Sequence, residues 1–425
     1  ASGIDMNPLH SRLLERKSGM DFKFIEGGVT AAKGYKAAGI HCGIRKNRSK
    51  KDLALLVSDI PAAAAAVYTQ NLVKGAPCVV TQQHLEDNTA RAVVCNSGIA
   101  NTCAADGIEK AEAMCTLTAK ALGINPGDVL VASTGIIGPS INLSPIEQGL
   151  PILAESLSVE GHSDAAEAIM TTNTVKKEFA VQFTLGGKVC TIGGMAKGSG
   201  MIAPNMATML CFITTDAAVD PEVLKSVLSE TVEDTFNMLS VDGDTSTNDM
   251  VVILANGMAG NPVIKEKGSD YEVFAAALRE LCVKFCRALA ADGEGATKLL
   301  ECRVTGAATK EDAKKIATSV INSSLLKAAM FGADANWGRV LCAIGYSGAD
   351  VNTAGIKVAF SSSAGTVLVC QNGAGIDFSE DEAKKVLSEK EILIDIGLSD
   401  GGFEATSWGC DLTYDYVRIN GDYRS

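Results

Sequence analysis

A chain of 425 residues exceeds the size at which one hydrophobic core stops growing, so two domains are expected. Hydrophobic residues make up 47% and charged residues 21%, which is the balance of a globular protein and not of a disordered or fibrous one. The net charge of −12, with no local basic cluster to offset it, excludes nucleic acid as a partner, because its phosphates would be repelled.

In chain order, the first twenty or so residues look like an extension. Residues 10–17 (HSRLLERK) fit a short amphipathic segment better than the stub of an organelle transit peptide. From Gly27 onward apolar runs alternate with Gly-rich turns. Leu53 to Val57 and Ala92 to Cys95 read as short buried strands, the second closed by the turn residues Asn96-Ser97-Gly98. Val129 to Ser133 is a further strand ending at Thr134-Gly135, and Ser144-Pro145 opens a helix. Asp220-Pro221 starts another helix, with Val223, Leu224, Val227, Leu228, Val232 and Phe236 in one stripe. Tyr271 to Ala290 carries a second stripe through Phe274, Leu278, Leu281, Phe285 and Leu289. Beyond Glu301 the spacing predicts a helix over 309–330, strands over 356–360 and 367–370, a helix over 379–389 and a strand over 391–396. This pattern is α+β with mixed sheets. It divides into an extension (1–22), a main domain (23–300) and a smaller C-terminal α/β domain (301–425).

Thirteen scattered cysteines, no C-x-x-C pair and four histidines argue against a zinc site, so no metal is expected. Cysteines embedded in apolar runs act as small buried hydrophobes and point to a reducing, cytoplasmic compartment, or an organelle matrix if residues 10–17 are a transit remnant. No apolar stretch reaches the roughly 18 residues of a membrane span, so no membrane partner is expected.

The most unusual segment is 193–216 (GGMAKGSGMIAPNMATMLCFITTD), a glycine-rich stretch with one lysine, then Thr208 at the head of an apolar run. Glycines around a lysine can cradle a phosphate, but the spacing is not that of a P-loop and no helical pattern follows. A threonine hydroxyl becomes a useful nucleophile when a base stands beside it, and its own α-amine, with a pKa of about 7.7–8.0, can be that base. Thr208 acquires a free amine only if the Ala207–Thr208 bond is cut. Its residue type and position fit equally the ordinary start of a strand.

The run 197–210 (KGSGMIAPNMATML) closely resembles the self-cleavage signature of the ornithine acetyltransferase (glutamate N-acetyltransferase) family. Residues 27–34 (GGVTAAKG), 96–101 (NSGIAN), 133–138 (STGIIG), 292–298 (DGEGATK), 336–339 (NWGR) and 408–420 (WGCDLTYDYVRIN) match the family in its order, from about residue 27 to the end. The resemblance implies self-cleavage between Ala207 and Thr208, with Thr208 then accepting the acetyl group of N-acetylornithine and passing it to glutamate in ping-pong fashion. It implies Thr134 and Gly135 as the oxyanion pair, and substrate contacts from Thr171, Lys197, Thr208, Glu294, Asn420 and Ser425. It also implies a layered αββα sandwich like that of N-terminal-nucleophile enzymes, an α2β2 heterotetramer of cleaved chains, and no cofactor beyond acetyl-CoA as a co-substrate in members that have a second activity. Asn173 stands where the family usually has Asp, and the 138–142 loop (GPSIN) differs from the expected versions, which bears on substrate preference and not on reaction type. The alternatives are a self-cleaving aminopeptidase or amidase of the same fold class, and a non-catalytic phosphate or small-molecule binder.

Overall fold

A computed structural model describes residues 22–203 and 209–422. Two compact units emerge from it: Lys23–Glu294 with the chain from Arg418 onward, and Gly295–Val417.

The larger unit takes its shape from one long strand. After β1 (Lys23–Ile25) and β2 (Tyr35–Ile40), β3 runs unbroken through Leu53–Tyr68. Its first half pairs with β2 and with β4 (Thr89–Ile99), and its second half with β9 (Met250–Ala255). The register shifts between Val57 and Ala62, where exposed Pro61, which has no N–H to donate, is tolerated. Between these strands in sequence lie β5 (Val129–Ile136), β6 (Lys177–Leu185), β7 (Lys188–Lys197) and β8 (Leu210–Thr215). The sheet order is β1-β6-β7-β8-β9-β3-β4-β5, with β2 also on β3.

Side-chain alternation turns this sheet into layers. Leu56, Leu130 and Ala132 from the β3–β4–β5 half share one buried cluster with Leu210, Phe212 and Val252 from the other half. The opposite faces of the same strands (Leu55, Val94, Val131) pack on Met114 of α2 (Gly107–Leu122) and Leu150 of α3 (Leu143–Glu155), which follow α1 (Ala76–His84). After α4 (His162–Ala168) and α5 (Pro221–Glu233), α6 (Ser269–Ala291) lays its predicted stripe on β6 and β7, with the Phe285 ring 5.1 Å from that of Phe179. The result is helix, sheet, sheet, helix. Each fully buried Leu or Phe in these faces contributes about 1.5–3 kcal/mol.

The second unit is a six-stranded sheet of β10 (Leu299–Ala307), β11 (Lys357–Ser362), β12 (Gly365–Gln371), β13 (Ala374–Gly375), β14 (Glu391–Gly397) and β15 (Phe403–Cys410), in the order β13-β12-β11-β14-β10-β15. Its helices are α7 (Lys310–Asn322), α8 (Ser324–Phe331), α9 (Trp337–Gly345) and α10 (Glu380–Leu387). The final helix, α11, spans Tyr414–Asp422.

Three local expectations need correction. The helix expected over 309–330 is two, because Ser323 leaves helical geometry and its hydroxyl caps α8 through the Leu326 amide. Asn96-Ser97-Gly98 is not a turn. It continues β4 in parallel register with Ser133-Thr134-Gly135. The glycines at 193 and 194 are not in a loop but inside β7, where a Cβ on Gly193 would lie 1.9 Å from the Gly28 carbonyl oxygen.

Candidate active site

Two strand ends and the last turn of α11 meet at a cavity of about 150 Å³ in the larger unit. β5 brings Thr134 and Gly135, β7 brings Lys197, the segment after α4 brings Thr171, and the end of α6 leads to Glu294. Asn420 joins them by donating its amide to Glu294 Oε2 at 2.8 Å. Thr208, Ala207 and Ser425 lie outside the described residues. The first two are flanked by Ala203, close beyond the end of β7, and by Met209, just before β8.

The end of β5 depends on a missing side chain. Gly135 has φ +133°, and a Cβ there would lie 2.2 Å from the carbonyl carbon of Gly98 on the neighbouring strand. The parallel pairing of Ser97 with Thr134 and Gly98 with Gly135 draws the two backbones together there, with Thr134 buried. Thr134 and Gly135 both line the cavity from this strand end.

Lys197 is only 3% exposed. Burial pushes its ammonium down to about 8, against Asp249, Cys95 and Glu294, which favour the charge, while Arg45 disfavours it further. The phosphate-cradle alternative loses its basis here: two of its glycines are strand residues, and the lysine faces inward among carboxylates. Glu294 reaches the cavity because position 200 is glycine, since a Cβ there would meet the Glu294 carboxylate at 2.4 Å. Its backbone N–H donates to the Ser199 carbonyl at 3.0 Å, which ties the two segments.

The Thr171–Thr174 stretch is anchored through Asn173 and Thr174. Asn173 Nδ2 donates to the Gly198 carbonyl at 2.6 Å and to Asp292 Oδ2 at 3.3 Å. The Thr174 backbone and hydroxyl donate to the same carboxylate, which also pairs with buried Lys177. With Asn at 173, a neutral donor and not a second carboxylate faces Asp292.

The sequence reading missed the polar run 242–249. Asp242 accepts the Met201 and Ile202 amides at 2.6 and 2.9 Å, and burial raises its carboxyl. Ser246, Thr247 and Asn248 line the cavity, and Asp249 accepts the Met209 amide at 2.8 Å. The available signal was eight mostly polar residues abutting the wholly apolar strand Met250–Ala255. Among the described residues no His, Cys, Asp and Glu cluster could hold a metal, and no helix is long and apolar enough to cross a membrane.

Residues 36–425 match the model of the ArgJ family. The chain is 52% identical over 405 residues to the arginine biosynthesis bifunctional protein ArgJ of Symbiobacterium thermophilum, covering 95% of this chain and all of that one. It is 48% identical over 398 residues to ArgJ 1 of Clostridium acetobutylicum, covering 93% and 97%. A crystal structure of the corresponding Bacillus halodurans protein is 46% identical, with a TM-score of 0.48, and covers 50% of this chain and 98% of that one.

Proposed function

The chain belongs to the ArgJ family, and from that premise we propose that Thr208, freed by self-cleavage, carries the acetyl group in its reaction. The enzyme is a glutamate N-acetyltransferase of arginine biosynthesis, moving acetyl from N-acetylornithine to glutamate. The observation that supports the residue assignment best is the small cavity joining a buried lysine, a carboxylate and a strand-end Thr-Gly pair.

In this reading the Thr208 hydroxyl first attacks the Ala207 carbonyl. The C–N bond breaks, the amine takes the proton, and water hydrolyses the resulting ester. The released α-amine then takes the hydroxyl proton as Thr208 attacks the acetyl carbonyl of N-acetylornithine. Thr134 and Gly135 donate to the oxyanion, and ornithine leaves with the proton on its nitrogen. Glutamate's amine attacks the acetyl ester, the same donors hold the second oxyanion, and Thr208 is regenerated. Lys197 receives a substrate carboxylate. Glu294, held by Asn420, receives an ammonium group, and Thr171 closes one wall. Ser425 adds a contact from the chain end.

Two further parts of the reading concern the whole enzyme. The relatives are named bifunctional, and the second activity proposed for this chain is acetylation of glutamate from acetyl-CoA. The mature assembly is proposed as a cytoplasmic α2β2 heterotetramer built on the 23–300 catalytic domain and the 301–425 domain.

Intact mass under denaturing conditions tests the core of this. The wild-type chain should give two fragments of similar size, the second beginning at Thr208, and Thr208→Ala should give one uncut, inactive chain. A wild-type chain that stays whole while transferring acetyl would overturn the free-amine nucleophile. Release of acetate in place of acetylglutamate would favour the amidase reading.

A further inference from the structure

We propose that Asn248 and Asp249, consecutive residues immediately before β9, are positioning residues that hold the nucleophile strand in register with the oxyanion turn. This rests on the assignment of Thr208 and of Thr134-Gly135 given above.

Asn248 is buried, and its side-chain amide is fully engaged. Nδ2 donates to the carbonyls of Ala100 at 2.6 Å and Ser133 at 3.1 Å. Oδ1 accepts the hydroxyls of Thr102 and Thr247, each at 2.6 Å. The Ser133 carbonyl belongs to the peptide whose N–H is that of Thr134, so this bond fixes the plane from which the proposed oxyanion donors project. Thr102 locks the far side of the turn, since its carbonyl accepts the Gly138 N–H at 2.9 Å, and the Ala100 N–H donates to the Ile136 carbonyl at 2.9 Å.

Asp249 acts on the other side. Its Oδ1 accepts the Met209 N–H at 2.8 Å, while the Met209 carbonyl accepts the Met250 N–H at 3.0 Å. Met209 follows Thr208 in the chain, and its N–H is held by a carboxylate only 1% exposed. The Asp249 carbonyl in turn accepts the N–H of Thr69, the residue just after β3, at 3.0 Å. Two adjacent side chains therefore hold Met209 on one side and the Ser133 carbonyl on the other, so one dipeptide links the residue after the proposed nucleophile to the strand that carries the proposed oxyanion pair. A misplacement of about 1 Å between nucleophile and stabilising groups costs roughly 100-fold in rate.

The test compares Asn248→Ala, Asp249→Ala and Asp249→Asn in the full chain, with kcat counted per active site titrated by the acetyl-enzyme burst. That count removes molecules that fail to fold or to cleave. Thr102→Val, which deletes one bond orienting the Asn248 amide while keeping its volume, serves if Asn248→Ala yields no burst. The expected result is a fall in kcat of roughly 100-fold for the two alanine variants, with KM for N-acetylornithine within about threefold for Asn248→Ala and raised for Asp249→Ala, which also removes the charge that favours the Lys197 ammonium. Thr102→Val should fall in the same direction by less, and Asp249→Asn, which keeps an acceptor for Met209, should recover most of the rate. Unchanged kcat per titrated site, or a loss confined to KM, overturns the inference. So does an Asp249→Asn variant as impaired as Asp249→Ala, because the acid would then act by its proton and not by position. A wild-type chain that neither cleaves nor forms an acetyl-enzyme would instead overturn the proposed function itself.

Discussion

Lys197 is where burial and recognition act against each other. A lysine in the unfolded chain holds its proton to about pH 10.4, whereas this one, pushed down by burial, releases it near 8. Between those values the unfolded chain binds more protons than the folded one, so Lys197 makes the fold gain stability as pH rises from about 8 to about 10.4. Over the same window the cavity loses its cation. KM for N-acetylornithine should therefore rise as pH passes about 8, when initial rates are followed from about pH 7 to about pH 10. Lys197→Met should start with a high KM and show no such rise. The amine proposed for Thr208 would move kcat in a neighbouring range, so the separation of KM from kcat is what assigns the effect. A KM that rises just as steeply in Lys197→Met would remove Lys197 from carboxylate binding.

At the scale of the element, the β4–β5 edge makes a contrast that two alanine substitutions can read. Gly135→Ala would drive a methyl into the Gly98 carbonyl at a left-handed φ of +133°, so the strands must part. A loss of several kcal/mol is expected, about 3 or more, together with at least about 100-fold in acetyl transfer. Gly138→Ala, three residues on, has φ +108° but open space around the new methyl, so only backbone strain of about 1–3 kcal/mol should follow. Thermal melts and transfer assays of the pair check this, and equal effects would place the cost in φ alone. The same strands show how far the sequence could be read. Continuous apolar runs made β5 and the start of β4 visible, and the stripes of α5 and α6 were plain because one face of each is buried. Ala62–Ala66 favours helix by propensity, yet it is strand, because β9 supplies its hydrogen bonds and small side chains admit α5 against it. Asn96-Ser97-Gly98 carries turn residues, but a parallel neighbour keeps them extended. Lys197 and Glu294 could be picked out only inside their family motifs. The roles of Asn248 and Asp249 depend on contacts spanning 115 and 40 residues respectively, which no local pattern encodes.

For the whole molecule, the position of the proposed cut decides whether its products can part. The segment up to residue 207 supplies β1 to β7, and the segment from Thr208 supplies β8 and β9. In the sheet these last two do not sit at an edge. The order β7-β8-β9-β3 inserts them as a parallel pair between strands of the first segment. β8 pairs antiparallel with β7 from Lys197↔Leu210 to Ile192↔Thr215, and β9 pairs antiparallel with β3 from Ala63↔Ala255 to Tyr68↔Met250. Cys211, Phe212, Ile213, Val251, Val252 and Ile253 are fully buried there, and polar ties cross as well: the Asp216 carboxylate accepts the Lys33 and Thr191 amides at 3.1 and 2.8 Å. Withdrawing the second segment would open two unpaired strand edges in the middle of a core, each a template for aggregation. The two fragments should therefore elute together on native size exclusion and resolve only in denaturant. The segment from Thr208 expressed alone should fail to give a soluble fold, and co-expression with residues 1–207 should restore it. If the fragments separate without denaturant, the cut cannot lie between β7 and β8, and the terminal amine proposed for Thr208 would have to be abandoned with it.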